Sequence, residues 1–119
     1  MRISRKSINK NLQKDVLDLF YQLVADLKTP SETKTFLDDV LSKSEVEAIA
    51  KRLAIANYLE NNRSYRSIKD DLKVSSATIA VVDKARRSPG YQLALKKIEV
   101  EKWASDWANK ISRLFSKSV

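Results

Sequence analysis

The chain has 119 residues, 43% of them hydrophobic, with a formal net charge of +8 and neither cysteine nor histidine. This length predicts one domain with a single core, and the missing cysteines exclude disulfides and thiolate chemistry. Without histidine the commonest general base and metal ligand are also missing, so we expect no enzyme, no metal site and no cofactor.

The first half of the sequence predicts three helices. Apolar residues recur every three or four positions from Ile8 to about Lys28, which predicts the first helix. The Thr29–Glu32 segment contains a proline and candidate caps, so it predicts a break and then a short second helix. Ser44 and Glu47 have the spacing of a capping box and predict the start of a third helix, which ends at residues 61–62. Its residues expected to face inward are Ile49, Leu53, Ala56 and Leu59.

Two short helices joined by a tight turn are predicted between Ser64 and Arg87. Ser64 suits the cap of the first helix, residues 73–75 form the turn, and Ser75 or Ser76 suits the cap of the second. Tyr65, Ile68 and Leu72 fall at i, i+3 and i+7 and give the first helix an apolar stripe, and Ile79 and Val82 are expected to face inward on the second. This is the spacing of a helix-turn-helix motif, in which the second helix enters the major groove of DNA.

A long last helix is predicted after the Ser88–Gly90 break, from about Tyr91 to Ser116. The first and last helices each carry an apolar stripe longer than a small core can cover, so we expect a homodimer that packs them across a two-fold axis. The residues assigned to this interface are Leu12, Val16, Phe20, Leu95, Ile98, Trp103 and Trp107. Packing within one chain is equally open for the two tryptophans, and a helix lying on a membrane is a third alternative.

Positive charge is concentrated at two places in the sequence. Residues 1–14 hold five basic and no acidic residues, and residues 62–90 hold seven basic against three acidic ones. Residues 26–48 are acidic, with three basic against six acidic residues. Because phosphate-binding surfaces have such local excesses, we expect residues 1–7 to be a flexible arm that contacts DNA through Arg2, Arg5 and Lys6.

Several short motifs resemble the Trp repressor superfamily, and more closely its YerC/YecD-type branch. They are Leu41–Glu45 before a helix, Arg52 with Ile55 and Ala56 inside it, Ser64–Ile68, Ser76–Ile79, and Gly90 with Tyr91. About half of the chain is covered. The resemblance implies an all-α, six-helix helix-turn-helix domain over residues 8–98, an intertwined homodimer, and residues 99–119 as an extension of the last helix.

The resemblance also implies a transcriptional regulator that binds double-stranded DNA sequence-specifically. DNA contacts carried over from the family fall on Arg66, Lys69, Ser76, Ala77, Thr78 and Ala80. Charge alone adds Lys84, Arg86 and Arg87 as flanking phosphate contacts.

The chain departs from the family where the tryptophan-responsive repressor binds its effector. Arg52 is kept, but Val81 and Val82 replace an Arg-Gly pair, and Ala85 replaces a serine. We therefore expect no response to L-tryptophan. Two roles stay open for Arg52, an effector contact and a structural ion pair with a neighbouring acid. Lys73 stands at the turn, where the family pattern has glycine.

Two other functions are weighed against a sequence-specific regulator. One is a non-specific or architectural DNA-binding module that recruits a protein through the tryptophan-bearing last helix. The other is an RNA-binding protein that uses the basic arm. The chain has no apolar run near the ~20 residues that span a bilayer and no secretion signal after its basic start, so we expect a cytoplasmic protein with no membrane partner.

Overall fold

The computed structural model describes residues 8–117, with side chains described to residue 114. This part of the chain contains six α-helices and no strand, which confirms the predicted all-α fold. The helices are α1 (Lys10–Ala25), α2 (Pro30–Val40), α3 (Lys43–Glu60), α4 (Tyr65–Leu72), α5 (Ser76–Ala85) and α6 (Pro89–Lys117). Between Val46 and Glu47 the chain divides into two compact units.

The first unit contains α1 and α2, and each begins at a polar cap. The Asn9 side chain accepts hydrogen bonds from the first turn of α1. Thr29 accepts one from the Glu32 amide at 3.1 Å, and Pro30 occupies the first position of α2, where it has no amide to leave unsatisfied. No residue of α1 or α2 is buried. Within the described part of this unit, the apolar side chains therefore form no enclosed core.

The start of α3 differs from the prediction by two residues. Ser42, and not Ser44, forms the capping box: its Oγ accepts from the Glu45 amide at 3.2 Å, and its own amide donates to Glu45 Oε1 at 2.9 Å. Both serines stand three residues before a glutamate, so the sequence pattern alone does not choose between them. The predicted end is confirmed, because α3 stops at Glu60 and Asn62 has a φ of 61°.

The second unit has a small core to which α3, α4, α5 and α6 all contribute. Its buried members are Ile55, Ala56, Ile68, Ile79, Val82 and Leu95. The predicted inward positions Ile68, Ile79 and Val82 are confirmed. Ile49 was wrongly expected to face inward. It lies two turns before Ala56, is 45% exposed, and lines the edge of a cavity rather than the core.

The break predicted at Ser88–Gly90 is present, but Pro89 and Gly90 already belong to the helix that follows it. α5 ends at Ala85, and α6 begins at Pro89, about two residues earlier than predicted. Proline suits this first position because its ring presets the helical φ. The Ser88 hydroxyl donates to the Ala85 carbonyl and so satisfies one of the last carbonyls of α5.

Candidate nucleic-acid interface

The helix-turn-helix motif is formed by α4, a short turn and α5. Ser64 caps α4 by accepting from the Ser67 amide at 3.1 Å, and Ser75 caps α5 by accepting from the Thr78 amide at 3.1 Å. Between them Lys73 adopts the left-handed conformation, with φ 55° and ψ 49°. The buried side chains of Ile68, Ile79 and Val82 fix the two helices against the core. Their opposite faces are exposed.

The exposed face of α4 carries two of the predicted DNA contacts, Arg66 and Lys69. Within residues 8–114, neither side chain has an acidic group within ion-pair distance. Both cations are therefore available to an external anion.

The exposed face of α5 consists mostly of short side chains. Ser76, Ala77, Thr78 and Ala80 are all exposed, as predicted for groove contacts. The Thr78 and Ser75 hydroxyls lie 2.9 Å apart, so Thr78 shares a hydrogen bond with the cap of its own helix. Such a face allows close approach of the helix backbone but offers few groups that identify a base pair.

The charged residues at the end of α5 differ in their surroundings. Lys84 and Arg87 are exposed, whereas the Arg86 side chain is only 23% exposed and is bound on two sides. Its Nε donates to Asp83 Oδ1 at 2.9 Å and its Nη1 donates to Glu60 Oε2 at 2.8 Å. Arg86 thus links α5 to the end of α3 instead of pointing outward as a ready phosphate contact.

Tyr65 completes this network, which sequence reasoning missed. Its hydroxyl donates to Asp83 Oδ2 at 2.8 Å, so a single carboxylate joins the first turn of α4 to the last turn of α5. Hydrogen bonds from Arg86 and Tyr65 lower the pKa of Asp83, and the same carboxylate raises the pKa of Tyr65 and of Arg86. The three-residue spacing of Asp83 and Arg86 was the only local signal for it.

A second cluster neutralises another acid of the motif. Arg63 Nη2 lies 2.8 Å from Asp71 Oδ2, and the Arg63 guanidinium sits 4.4 Å from the centre of the Tyr58 ring. Two of the three acids in residues 62–90 are therefore paired inside the motif, and Asp70 remains. The positive charge of Arg66, Lys69, Lys84 and Arg87 is left in excess on the exposed surface.

Comparison with known proteins connects this arrangement to a family. A family model described as Trp repressor protein matches residues 15–99. The chain belongs to the Trp repressor family. This confirms the resemblance found in the sequence, and the family is one of DNA-binding regulators, not of enzymes.

Two known proteins are similar to this chain over most of its length. The uncharacterized protein YerC of Bacillus subtilis (strain 168) is 28% identical over 85 residues, which are 70% of this chain and 82% of YerC. The crystal structure of a TrpR-like protein from Eubacterium eligens ATCC 27750 superposes with a TM-score of 0.68 at 25% identity, covering 76% of this chain and 96% of that one.

The residues that stand at the effector positions of the tryptophan-responsive repressor lie in different surroundings. Val82 is buried in the core, and Val81 is exposed on α5. Arg52 lines a cavity of about 310 Å³ together with Ile49, Leu53, Ser88, Gly90 and Tyr91. The ion pair considered for Arg52 is not formed with any residue in the described part of the chain.

The residues assigned to a dimer interface fall into two groups. Leu12, Val16, Phe20, Trp103 and Trp107 are exposed, the tryptophans by 63% and 48%. Leu95, at 6% exposure, belongs to the core of the second unit, and Ile98 is half-buried. The predicted arm residues Arg2, Arg5 and Lys6 lie outside the described residues.

The described part of the chain offers neither a cluster of metal ligands nor a membrane-spanning helix. Residues 8–114 contain no cluster of acidic side chains suited to a metal ion. None of the described helices is both long enough and apolar enough to cross a bilayer.

Proposed function

We propose that this protein is a sequence-specific, DNA-binding transcriptional regulator that acts as a homodimer and does not respond to L-tryptophan. The observation that carries the proposal is the exposed face of α4 and α5. There Arg66 and Lys69 have no acidic partner within residues 8–114, and they lie beside a capped helix with short side chains. Because the proposed target is duplex DNA, we also propose a cytoplasmic location.

In the proposed complex α5 lies in the major groove. Arg66 and Lys69 bind phosphates or a guanine edge, and the methyl groups of Ala77 and Ala80 contact thymine methyls. Lys84, Arg87 and the arm add phosphate contacts. With one motif per protomer, the half-sites are about one helical turn, ~34 Å, apart.

The exposed apolar side chains support the proposed homodimer. The α1 stripe includes Leu12, Val16, Leu19, Phe20 and Leu23, all more than 40% exposed. A stripe on α6 is exposed to a similar degree. Apolar patches of this size are unusual on a monomer and mark protein interfaces. A second copy of this chain is the proposed partner. In a two-fold dimer each copy presents the same apolar stripes, so the stripes of one copy can cover those of the other.

The proposal excludes tryptophan because the side chains that would hold it are missing. Val82 is in the core and Val81 is exposed. Among the residues that line the cavity beside Arg52, none other than Arg52 carries a guanidinium. The cavity beside Arg52 leaves a different small effector open to direct binding tests.

In-vitro selection of bound duplexes tests the function. We expect an enriched palindrome with half-sites one turn apart, and in the selected site the variants R66E and K69E should lose affinity and reduce the salt dependence of binding by about one counterion each. K51E is the matched control, because Lys51 is an exposed lysine of α3 with no ion pair within residues 8–114. Unchanged affinity in R66E and K69E would contradict the proposal.

A non-specific or architectural DNA-binding module is the second candidate, and the short side chains of α5 favour it. The same selection separates the two, because a module of this kind enriches no motif but still binds with a steep salt dependence. Competition with structured RNA tests the remaining alternative: RNA that displaces duplex DNA at equal concentration would favour an RNA-binding protein.

A further inference from the structure

The last helix has two apolar faces. On one face Leu95 is buried in the core and Ile98 is half-buried beside it. On the nearly opposite face a second set is between 47% and 68% exposed, and these residues are Val100, Trp103, Trp107, Ile111 and Leu114. At 3.6 residues per turn the second set forms a single stripe. This stripe follows residue 99, where the match to the Trp repressor family model ends.

The positions of the stripe are symmetric about Trp107. Val100 and Leu114 each lie seven residues from it, and Trp103 and Ile111 each lie four residues from it. When two such helices run antiparallel and cross at Trp107, every apolar residue meets an apolar residue. Val100 then faces Leu114 of the second copy, and Trp103 faces Ile111 of the second copy.

The charges along this segment also favour an antiparallel arrangement. Residues 99–106 hold three acidic side chains and one basic one, whereas residues 107–114 hold two basic side chains and no acidic one. An antiparallel pair sets the negative half of each helix beside the positive half of the other, and a parallel pair sets like beside like.

Two charged residues on one edge of the stripe, Asp106 and Lys110, give the clearest example of this charge complementarity between the two helices. Asp106 and Lys110 are one turn apart, and the Lys110 ammonium lies 5.5 Å from the centre of the Trp107 ring. In the register centred on Trp107, Lys110 is displaced from Asp106 of the second copy by two residues, about 3 Å along the helix.

We propose that residues 100–114 of α6 pair antiparallel with the same residues of a second copy, centred on Trp107. This inference rests on the proposed homodimer and specifies its C-terminal contact. Trp103 and Trp107, whose rings already pack edge to face at 5.9 Å, form the middle of the contact. The stripe thus extends the dimer beyond the residues that the family model covers.

Single cysteines test the pairing, because the natural sequence contains none. The full-length variants V100C and L114C are purified separately, mixed, and oxidised at a concentration where sedimentation shows a dimer. We expect a disulfide-linked band of twice the 13.6 kDa chain mass in the mixture, and little of it from V100C alone. The matched control is K102C mixed with S112C, which occupy equivalent levels on the exposed opposite side of the helix and should not cross-link.

Each other outcome overturns the inference. Strong cross-linking of V100C to itself would show a parallel pair, and cross-linking of V100C to L19C would show that α1 covers the stripe. If the protein is a dimer but V100C forms no cross-link with L114C, with itself or with L19C, the stripe binds something else. The proposed homodimer would then remain intact. A monomer by sedimentation would contradict both proposals. Circular dichroism of each variant confirms that the helices are retained.

Discussion

The Asp83 carboxylate on α5 accepts two hydrogen bonds, one from Tyr65 on α4 and one from Arg86 at the end of its own helix. The lowered pKa of Asp83 means that the folded state favours the ionised form. The stability that it contributes is therefore present above the pKa of the unfolded chain, near 4 for an ordinary aspartate, and is lost as the pH falls through the lower pKa of the folded state.

We predict that D83N has a lower free energy of unfolding at neutral pH than the natural chain and a weaker dependence on acid pH. The reason is that the amide accepts only weakly from Arg86 and has no ionisation to lose. Urea denaturation at a series of pH values measures this. D70N is the control, because Asp70 is an exposed acid of α4 whose side chain has no hydrogen bond or ion pair within residues 8–114. Equal pH profiles for the natural chain and D83N would contradict the assignment.

Residues that interact across helices were the hardest to predict from the sequence. Glu60 and Arg86 are 26 positions apart, and their 2.8 Å contact exists only once α3 and α5 are placed together. For this reason Arg86 resembled a free phosphate contact in the sequence. The exposure of Arg66 and Lys69 could be predicted from the helical periodicity of α4 alone, and both residues are exposed in the structure.

The helices themselves were predictable because their ends are encoded locally. Thr29, Ser64 and Ser75 each precede an apolar-periodic segment and each caps the expected helix. The start of α3 was not decided by this rule, since Ser42 and Ser44 both satisfy it. At Lys73 the local sequence predicts the wrong backbone preference. A left-handed lysine is uncommon, but this conformation is held here by the two packed helices that Lys73 joins.

The Ser42 capping box gives a direct comparison between neighbouring serines. We predict that S42A destabilises the protein by about 1 kcal/mol, because the Glu45 amide loses its acceptor. S44A is the matched control: within residues 8–114 the Ser44 hydroxyl hydrogen-bonds only the Ser42 hydroxyl, at 3.2 Å, and its loss should cost clearly less. The midpoints of urea unfolding provide the measurement, and a larger loss in S44A would place the cap where the sequence first suggested.

At the scale of the molecule, the two units differ in their internal packing. The second unit has an enclosed core, whereas no residue of α1 or α2 is buried. Sequence periodicity identified the long apolar stripes but not which partner covers them, because a stripe has the same spacing whether it packs within a chain or between chains.

We predict that thermal stability rises with protein concentration. If a second copy covers the exposed stripes, association and folding are linked, and the unfolding midpoint shifts upward with the total concentration of chain. V16D should lower the midpoint and reduce its concentration dependence, because it places a charge in the α1 stripe. Scanning calorimetry across a range of concentrations measures both. A midpoint independent of concentration in the natural chain would contradict the homodimer.

The proposed DNA contacts on α4 and the proposed dimer stripes on α1 and α6 consist of different residues, and this has a genetic consequence. A chain with R66E keeps every residue proposed to bind a second copy, so it still enters dimers. When mutant and natural alleles are expressed together, mixed dimers form. Each mixed dimer has one intact helix-turn-helix motif and therefore binds only one half-site of a palindrome. Charge reversal at Arg66 is therefore expected to be dominant over the natural allele, whereas loss of the stripes is expected to be recessive.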